Sequence, residues 1–166
     1  MEMKVERRVK IIFVCHGNIC RSPMAEYVFR HMLDESGLSS MVEVTSAATS
    51  SEEIGNPVYP PARQMLAMHG IGCKGKTAQR ITADMFNSCD YVIAMDRYNV
   101  QNLERMFKSA GKGKVKLLLE FLPTEHPLYM QDVADPWYTR DFQKAYDDIV
   151  VGCKALLACL EKDCLC

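Results

Sequence analysis

The stretch CHGNICRSP, residues 15–23, sets two thiols, Cys15 and Cys20, beside a guanidinium, Arg21. A free thiol, with a pKa of about 8.5, is mostly protonated at neutral pH; a helix N-terminus and a neighbouring cation favour the nucleophilic thiolate. Cys15 closes an apolar run, and Ser22-Pro23 reads as a helix start, so the residues between must turn sharply. Gly17 and Asn18 are residue types that tolerate positive φ. A loop of this kind turns successive backbone N–H groups inward as an anion nest, the following helix adds its unpaired N–H groups, and Arg21 adds a fork for two oxygens. His16, Gly17, Asn18, Ile19, Cys20 and Ser22 thus surround one tetrahedral anion, with Cys15 placed to attack its phosphorus in line with a leaving group. Ser22 is placed to donate a hydrogen bond to the sulfur. Arg21 and the amides are placed to hold the equatorial oxygens more tightly in the transition state than in the ground state. An isolated Cys and Arg at this spacing is commonplace; the strand before, the Gly and Asn within, and the Ser-Pro after give the stretch its chemical meaning. It lacks the Gly-x4-Gly-Lys-Ser/Thr spacing of an ATP-binding loop.

Displacement at phosphorus also needs an acid for the leaving oxygen. Asp135 is the candidate: the residue before a proline is pushed toward extended backbone, which projects its side chain from a loop. Trp137 and Tyr138 follow and can wall a slot for a flat ring. Taken alone, Asp-Pro is an ordinary loop dipeptide.

The elements that must position these residues follow from periodicity. Residues 10–14 read as a buried strand. A helix follows, with Ser22 as N-cap, Pro23 as first helical residue and Gly37 just past its end. Strands are predicted at 42–46, 91–95 and 115–119, and helices at 62–69, 82–88, 98–107 and from 142 to about 160. The segments 49–61 and roughly 120–140 read as loops, and Gly111-Lys112-Gly113 as a turn. Phe142, Tyr146, Ile149, Cys153, Leu156 and Leu160 mark one face of the last helix. Strands alternating with helices predict a single α/β domain over 1–166, with a parallel sheet covered on both faces. Ligands of such sheets sit beyond the carboxyl ends of the strands, where residues 15–22 lie.

A net charge of −1 with no basic block argues against nucleic-acid binding and requires any anion site to be built locally. No apolar run approaches the ~18 residues of a membrane span, and the charged N-terminus lacks the apolar centre of a signal peptide. Eight cysteines in a chain this rich in core residues read as reduced thiols of a cytoplasmic protein. Cys153, Cys159, Cys164 and Cys166 have no Cys-x-x-Cys spacing and no nearby histidine, so they are expected as buried or frayed-end thiols rather than zinc ligands. A monomer without metal or cofactor is expected.

With Cys15–Pro23 and Asp135-Pro136 in view, the sequence resembles the low-molecular-weight protein tyrosine phosphatases over nearly its whole length. The resemblance is carried by CHGNICRSPMAE at 15–26, TSAATSSEEIGNP at 45–57, HGI at 69–71, CDYVIAMD at 89–96 and ADPWY at 134–138. It implies a four-stranded parallel sheet and a two-step, metal-free hydrolysis of phosphotyrosine proteins or aryl phosphates. Cys15 would carry the phosphoryl group and Arg21 bind it. Asp135 would protonate the leaving phenol and then activate water, and inorganic phosphate would inhibit as product. Ser46 would support the loop behind Asn18, and Cys20 would form a reversible disulfide with Cys15 under oxidation, guarding it from overoxidation.

The sequence also departs from the family. His16 stands where an apolar or small residue is common, Glu52 and Glu53 where an aromatic often lies, and Trp137 where tyrosine is common. A second histidine, expected shortly after the one matching His69, is replaced within residues 72–76, which implies a different support network behind the loop. These departures bear on substrate preference more than on reaction type. The resemblance leaves phosphoarginine as the main alternative substrate; Ile19, where those members carry threonine, and Trp137 favour a flat apolar ring. An arsenate reductase would need two further thiols close together, and Cys73 and Cys89 fit poorly. A non-catalytic phosphocarrier would need neither Arg21 nor Asp135.

Overall fold

A computed structural model of the chain describes residues 8–108 and 113–163. Four strands, β1 (Val9–Cys15), β2 (Val42–Ala48), β3 (Tyr91–Ala94) and β4 (Val115–Leu117), form one sheet in the order β2-β1-β3-β4. Every pairing is parallel. The helices are α1 (Arg21–Glu35), α2 (Pro60–Met68), α3 (Ala83–Ser88), α4 (Arg97–Phe107), α5 (Pro136–Thr139) and α6 (Phe142–Asp163), with a 3₁₀ turn at Leu118–Phe121.

Strand β1 explains the layering. Successive side chains of a strand point to opposite faces, and Ile11 to Val14 are all fully buried, so both faces must be covered. Ile11 and Phe13 pack into a core with Phe29 of α1 and Ile149, Cys153 and Leu156 of α6. Ile12 and Val14 face the other way, into a smaller core with Phe86 of α3 and Leu103 of α4. The six residues predicted for the inner face of the last helix are all buried. Its Gly152 lets the helix approach Leu118, whose Cγ would lie 2.5 Å from a Cβ at that position.

The local chemistry corrects four expectations. Helix α1 starts at Arg21 with Cys20 as N-cap and no side-chain capping bond, so Ser22 lies inside the first turn; its hydroxyl is engaged elsewhere, as described below. Helix α2 begins at Pro60, within the predicted loop, because proline suits the first helical turn. The strand expected over 115–119 ends at Leu117 and tightens into the 3₁₀ turn, and the segment predicted as loop to 140 contains α5, capped by Asp135. Gly37 takes φ +71 just beyond α1, as its position predicts. Of the predicted 111–113 turn only Gly113 lies within the described residues, as do only Cys153 and Cys159 of the four late cysteines.

Strand β2 is an edge, and exposed edge carbonyls invite pairing with other chains. Here Arg8 donates to the Val42 carbonyl at 3.1 Å, Arg30 to Val44 at 2.8 Å, and Lys76 and Gln79 to Ser46 at 3.0 and 3.1 Å. Among the described residues no helix is long and apolar enough to cross a membrane.

Candidate active site

The carboxyl ends of β1 and β3 meet at the point where the strand order reverses, the place where open α/β sheets bind ligands. A cleft of about 130 Å³ opens there, lined by Cys15, His16, Gly17, Ile19, Cys20, Arg21, Glu52, Glu53, Asp135, Trp137 and Tyr138. Nine of the twelve residues selected from sequence are in this lining. The other three, Asn18, Ser22 and Ser46, are buried behind the loop and act on it from the protein side.

Cys15 ends β1 and is 3% exposed. Its Sγ lies 2.9 Å from Ser22 Oγ and accepts from the Asn18 N–H at 3.3 Å. The loop that follows has one residue at positive φ, and it is Asn18 (φ 60) rather than Gly17. An asparagine accepts this conformation when its side chain is engaged locally. Its Nδ2 donates to Ser22 Oγ at 2.8 Å and to Ser46 Oγ at 3.0 Å, and its Oδ1 accepts from the Gln79 N–H at 3.1 Å. Gly17 serves differently: a Cβ there would meet Glu53 Cγ at 3.4 Å, so the missing side chain leaves room for the cleft wall.

Arg21 carries the main electrostatic feature. It is 2% exposed yet borders the cleft. Nη1 donates to Asp96 Oδ2 at 2.6 Å and to the Val133 carbonyl at 2.8 Å, and Nη2 donates to Asp135 Oδ2 at 3.3 Å. Burial opposes its charge, but Cys15, Asp96 and Asp135 outweigh burial and raise its pKa further. The guanidinium is therefore permanently charged and held by three groups from distant parts of the chain. Asp96 is itself fixed as the N-cap of α4, accepting from the Asn99 N–H at 2.7 Å. Asp135 has extended backbone, and its second oxygen accepts from the Trp137 N–H at 3.0 Å as the cap of α5.

Cys20 borders the cleft but is chemically unlike a nucleophile. Burial, then the nearby Cys15 and Asp135, push its pKa up to about 12 against the opposing pull of Arg21 and Arg140. It remains a thiol at neutral pH.

The rim is built from three segments. His16 Nε2 meets Glu52 Oε2 at 3.0 Å, and the His16 carbonyl accepts from the Ser50 N–H at 3.1 Å, tying the loop after β1 to residues 49–53. Glu53 is held by Asn56 Nδ2 at 2.6 Å. Opposite, Trp137 packs on Tyr59 at 4.9 Å between ring centroids, and Tyr59 OH accepts from Arg140 at 3.1 Å. Tyr138 is 80% exposed at the mouth.

Sequence reasoning missed Asp96, the Val133 carbonyl, Tyr59, Gln79, Glu26 and Lys76. Ser46 Oγ donates to buried Glu26 at 2.5 Å, and Lys76 Nζ lies 3.4 Å from the same carboxylate oxygen. Asp96 had a local signal, since Asp-x-x-Asn ahead of a helical pattern reads as a capping box; its second contact, with Arg21, has none.

This arrangement suits attack by a buried sulfur on a phosphoryl group held by Arg21, with a carboxyl group on the leaving side. The comparisons agree with the geometry. A family model for the low molecular weight phosphotyrosine protein phosphatases matches residues 10–165. The low molecular weight protein-tyrosine-phosphatase YfkJ of Bacillus subtilis is 35% identical over 155 residues, 93% of this chain and 97% of that protein. Its crystal structure superposes with a TM-score of 0.91, covering 96% of this chain and 99% of that one. The human low molecular weight phosphotyrosine protein phosphatase is 38% identical over 149 residues, 89% of this chain and 92% of the other. DARP, a Drosophila arginine phosphatase, superposes with a TM-score of 0.83 at 29% identity, covering 93% and 99% of the two chains. With nearly the whole chain matched in sequence and in fold, the protein belongs to the low molecular weight phosphotyrosine protein phosphatase family.

Proposed function

We propose that the chain hydrolyses phosphotyrosine in proteins, and aryl phosphates generally, in two steps. In the first, Cys15 Sγ attacks phosphorus, the bond to the aryl oxygen breaks, and Asp135 gives that oxygen its proton. In the second, Asp135 takes a proton from water, the water oxygen attacks the phosphocysteine, and the P–S bond breaks to release inorganic phosphate and the thiolate. Arg21 binds the phosphoryl oxygens throughout, and Ser22 stabilises the sulfur as nucleophile and as leaving group. The observation that carries the reading is the single guanidinium, Arg21, bonded on one side to Asp135 and joined through its own loop to Cys15. Inorganic phosphate, presenting the same tetrahedral anion, inhibits as product.

Ile19 and Trp137 give the cleft apolar walls for a phenyl ring, which favours phosphotyrosine over phosphoarginine, the likeness to an arginine phosphatase notwithstanding. Cys20, a protonated thiol beside the nucleophile, fits a guard role: oxidation of Cys15 to the sulfenic acid by a peroxide, followed by attack of Cys20, gives a reducible disulfide and water. The protein is read as a cytoplasmic monomer that works with Cys15 reduced.

The test is turnover of p-nitrophenyl phosphate by pure, reduced protein at mildly acidic pH, followed by rates on matched phosphotyrosine and phosphoarginine peptides. Turnover of the chromogenic ester with faster phosphotyrosine cleavage is expected. No turnover sinks the enzymatic reading, and faster phosphoarginine cleavage reassigns the substrate.

A further inference from the structure

Arg140 closes α5 in the left-handed region, with φ 60 and ψ 12. Glycine takes this conformation without steric cost, and asparagine and aspartate take it more readily than a long side chain does. An arginine there carries backbone strain, and residues held in such strain cluster at functional sites. The backbone itself gives no reason for the side chain. The Arg140 N–H donates to the Pro136 carbonyl at 2.9 Å, a bond that glycine would make equally.

The side chain is held in place by aromatic neighbours. Nη2 donates to Tyr59 OH at 3.1 Å, and the guanidinium carbon lies 5.5 Å from the Tyr59 ring centroid and 5.4 Å from that of Phe142. Tyr59 in turn packs on Trp137 of the cleft, and its backbone N–H donates at 2.9 Å to the carbonyl of Ile19, in the loop after Cys15. The cation is thus built onto the aromatic wall of the cleft, near enough for its charge to oppose the rise in the Cys20 pKa. Among the described residues its other donors, Nε and Nη1, meet no acceptor, and Arg140 forms no ion pair. The cations that line the cleft differ in this respect. Arg21 is buried and bonded to Asp96 and Asp135, and His16 meets Glu52. Glu52 and Glu53 line the same cleft. An acidic substrate therefore meets carboxylates at one part of the mouth and an unneutralised guanidinium at another.

We propose that Arg140 is a specificity-determining residue, its planar fork binding the carboxylate of an aspartate or glutamate close to the phosphotyrosine of a protein substrate. A guanidinium presents paired N–H groups that match the two oxygens of a carboxylate. One already held between two rings loses little freedom on binding. The proposal deepens the phosphatase reading and rests on it: the phosphoryl group goes to Arg21 and the acidic neighbour to Arg140. It also gives the strained backbone of Arg140 a use.

The test uses the full, reduced chain and matched phosphotyrosine peptides that differ by a single Glu or Gln, set in turn at each of the two positions before and after the phosphotyrosine. kcat/KM is read as the Glu-to-Gln ratio at each position, so a general change in activity cancels. At one or more positions the ratio is expected to be about three- to fivefold, the scale of an exposed ion pair. In Arg140→Gly, which suits φ 60, and in Arg140→Asn, the other residue type that takes this conformation, the ratio should fall to about one. A merely structural role would change Tm, or the rates on all the peptides, and leave the ratio in place. A ratio of about one or below at every position in the unsubstituted protein overturns the proposal, as does a ratio retained in either folded variant. No turnover of p-nitrophenyl phosphate by the unsubstituted protein counts against the phosphatase reading and not against Arg140. The ratio of affinities for the same peptides, from calorimetry on Cys15→Ser with and without Arg140→Gly, then decides the role of Arg140 by the same criteria.

Discussion

Arg21 Nη1 and Asp96 Oδ2 stand 2.6 Å apart, joining the first residue of α1 to the cap of α4 across the reversal in strand order. Asp96 thus holds Arg21, the cation proposed to bind phosphate, and caps a helix at once. Asp96→Ala is expected to lower kcat/KM on aryl phosphates about 10- to 100-fold, the worth of a charge-assisted bond of about 1.5–3 kcal/mol, and to weaken inhibition by phosphate. Loss of the cap should cost about 1 kcal/mol of stability. Asp96→Asn should retain most of the Tm while losing activity. Steady-state kinetics beside thermal melts separates the two roles, and a fall in Tm without a fall in kcat/KM contradicts the Arg21 role.

Cys15→Ser should abolish turnover yet keep the fold and the binding of phosphate, because the donors proposed for the anion are the loop and Arg21. Asp135→Ala should lower kcat about 10²- to 10⁴-fold on esters with poor leaving groups. The deficit should shrink as the leaving phenol becomes more acidic. A leaving-group series measured with both proteins checks this, and parallel plots would move the acid role elsewhere.

Gly152→Ala should destabilise the fold without touching the chemistry. The added Cβ meets Leu118 Cγ at 2.5 Å, so the contact between α6 and the 3₁₀ turn has to open. The expected cost is about 1–3 kcal/mol, read as a lower denaturation midpoint with kcat unchanged per folded molecule.

Alkaline pH should loosen the protein through its buried thiols. Burial is the leading cause that raises the pKa of Cys153, Cys73 and Cys89, and of Cys20 to about 12. In the unfolded chain these thiols ionise near pH ~8.5. Above that pH the native state binds more protons than the unfolded one, so stability falls as pH rises; below it these groups contribute no slope. Tm should therefore be flat from these groups between pH 7 and 8 and decline toward pH 10, with a shallower decline in Cys153→Ala. Equal slopes for the two proteins would remove Cys153 from the explanation.

Sequence alone was sufficient wherever the physics is local. The apolar run of Ile11 to Val14, the periodic face of α6 and the glycine after α1 report their elements because neighbouring residues decide them. The Cys15–Arg21 loop is legible for the same reason: its thiol, positive-φ asparagine, guanidinium and helix start all lie within a few residues. Asp135 stood as the acid candidate on the extended backbone favoured before Pro136, and the resemblance gave it its role, since Asp-Pro by itself marks only a turn. Tertiary structure decided what depends on partners distant in the chain. Ser22 reads as a helix cap until its hydroxyl is seen to serve Cys15 and Asn18. Gly17 and Asn18 look interchangeable until the Gln79 N–H and Ser46 fix Asn18 in the strained position. Asp96, Glu26 and Lys76 carry no catalytic pattern in sequence. Asp96 reaches Arg21 because the order β2-β1-β3 sets the end of β3 beside Cys15, and Glu26 reaches the loop through Ser46 of β2 on the other side.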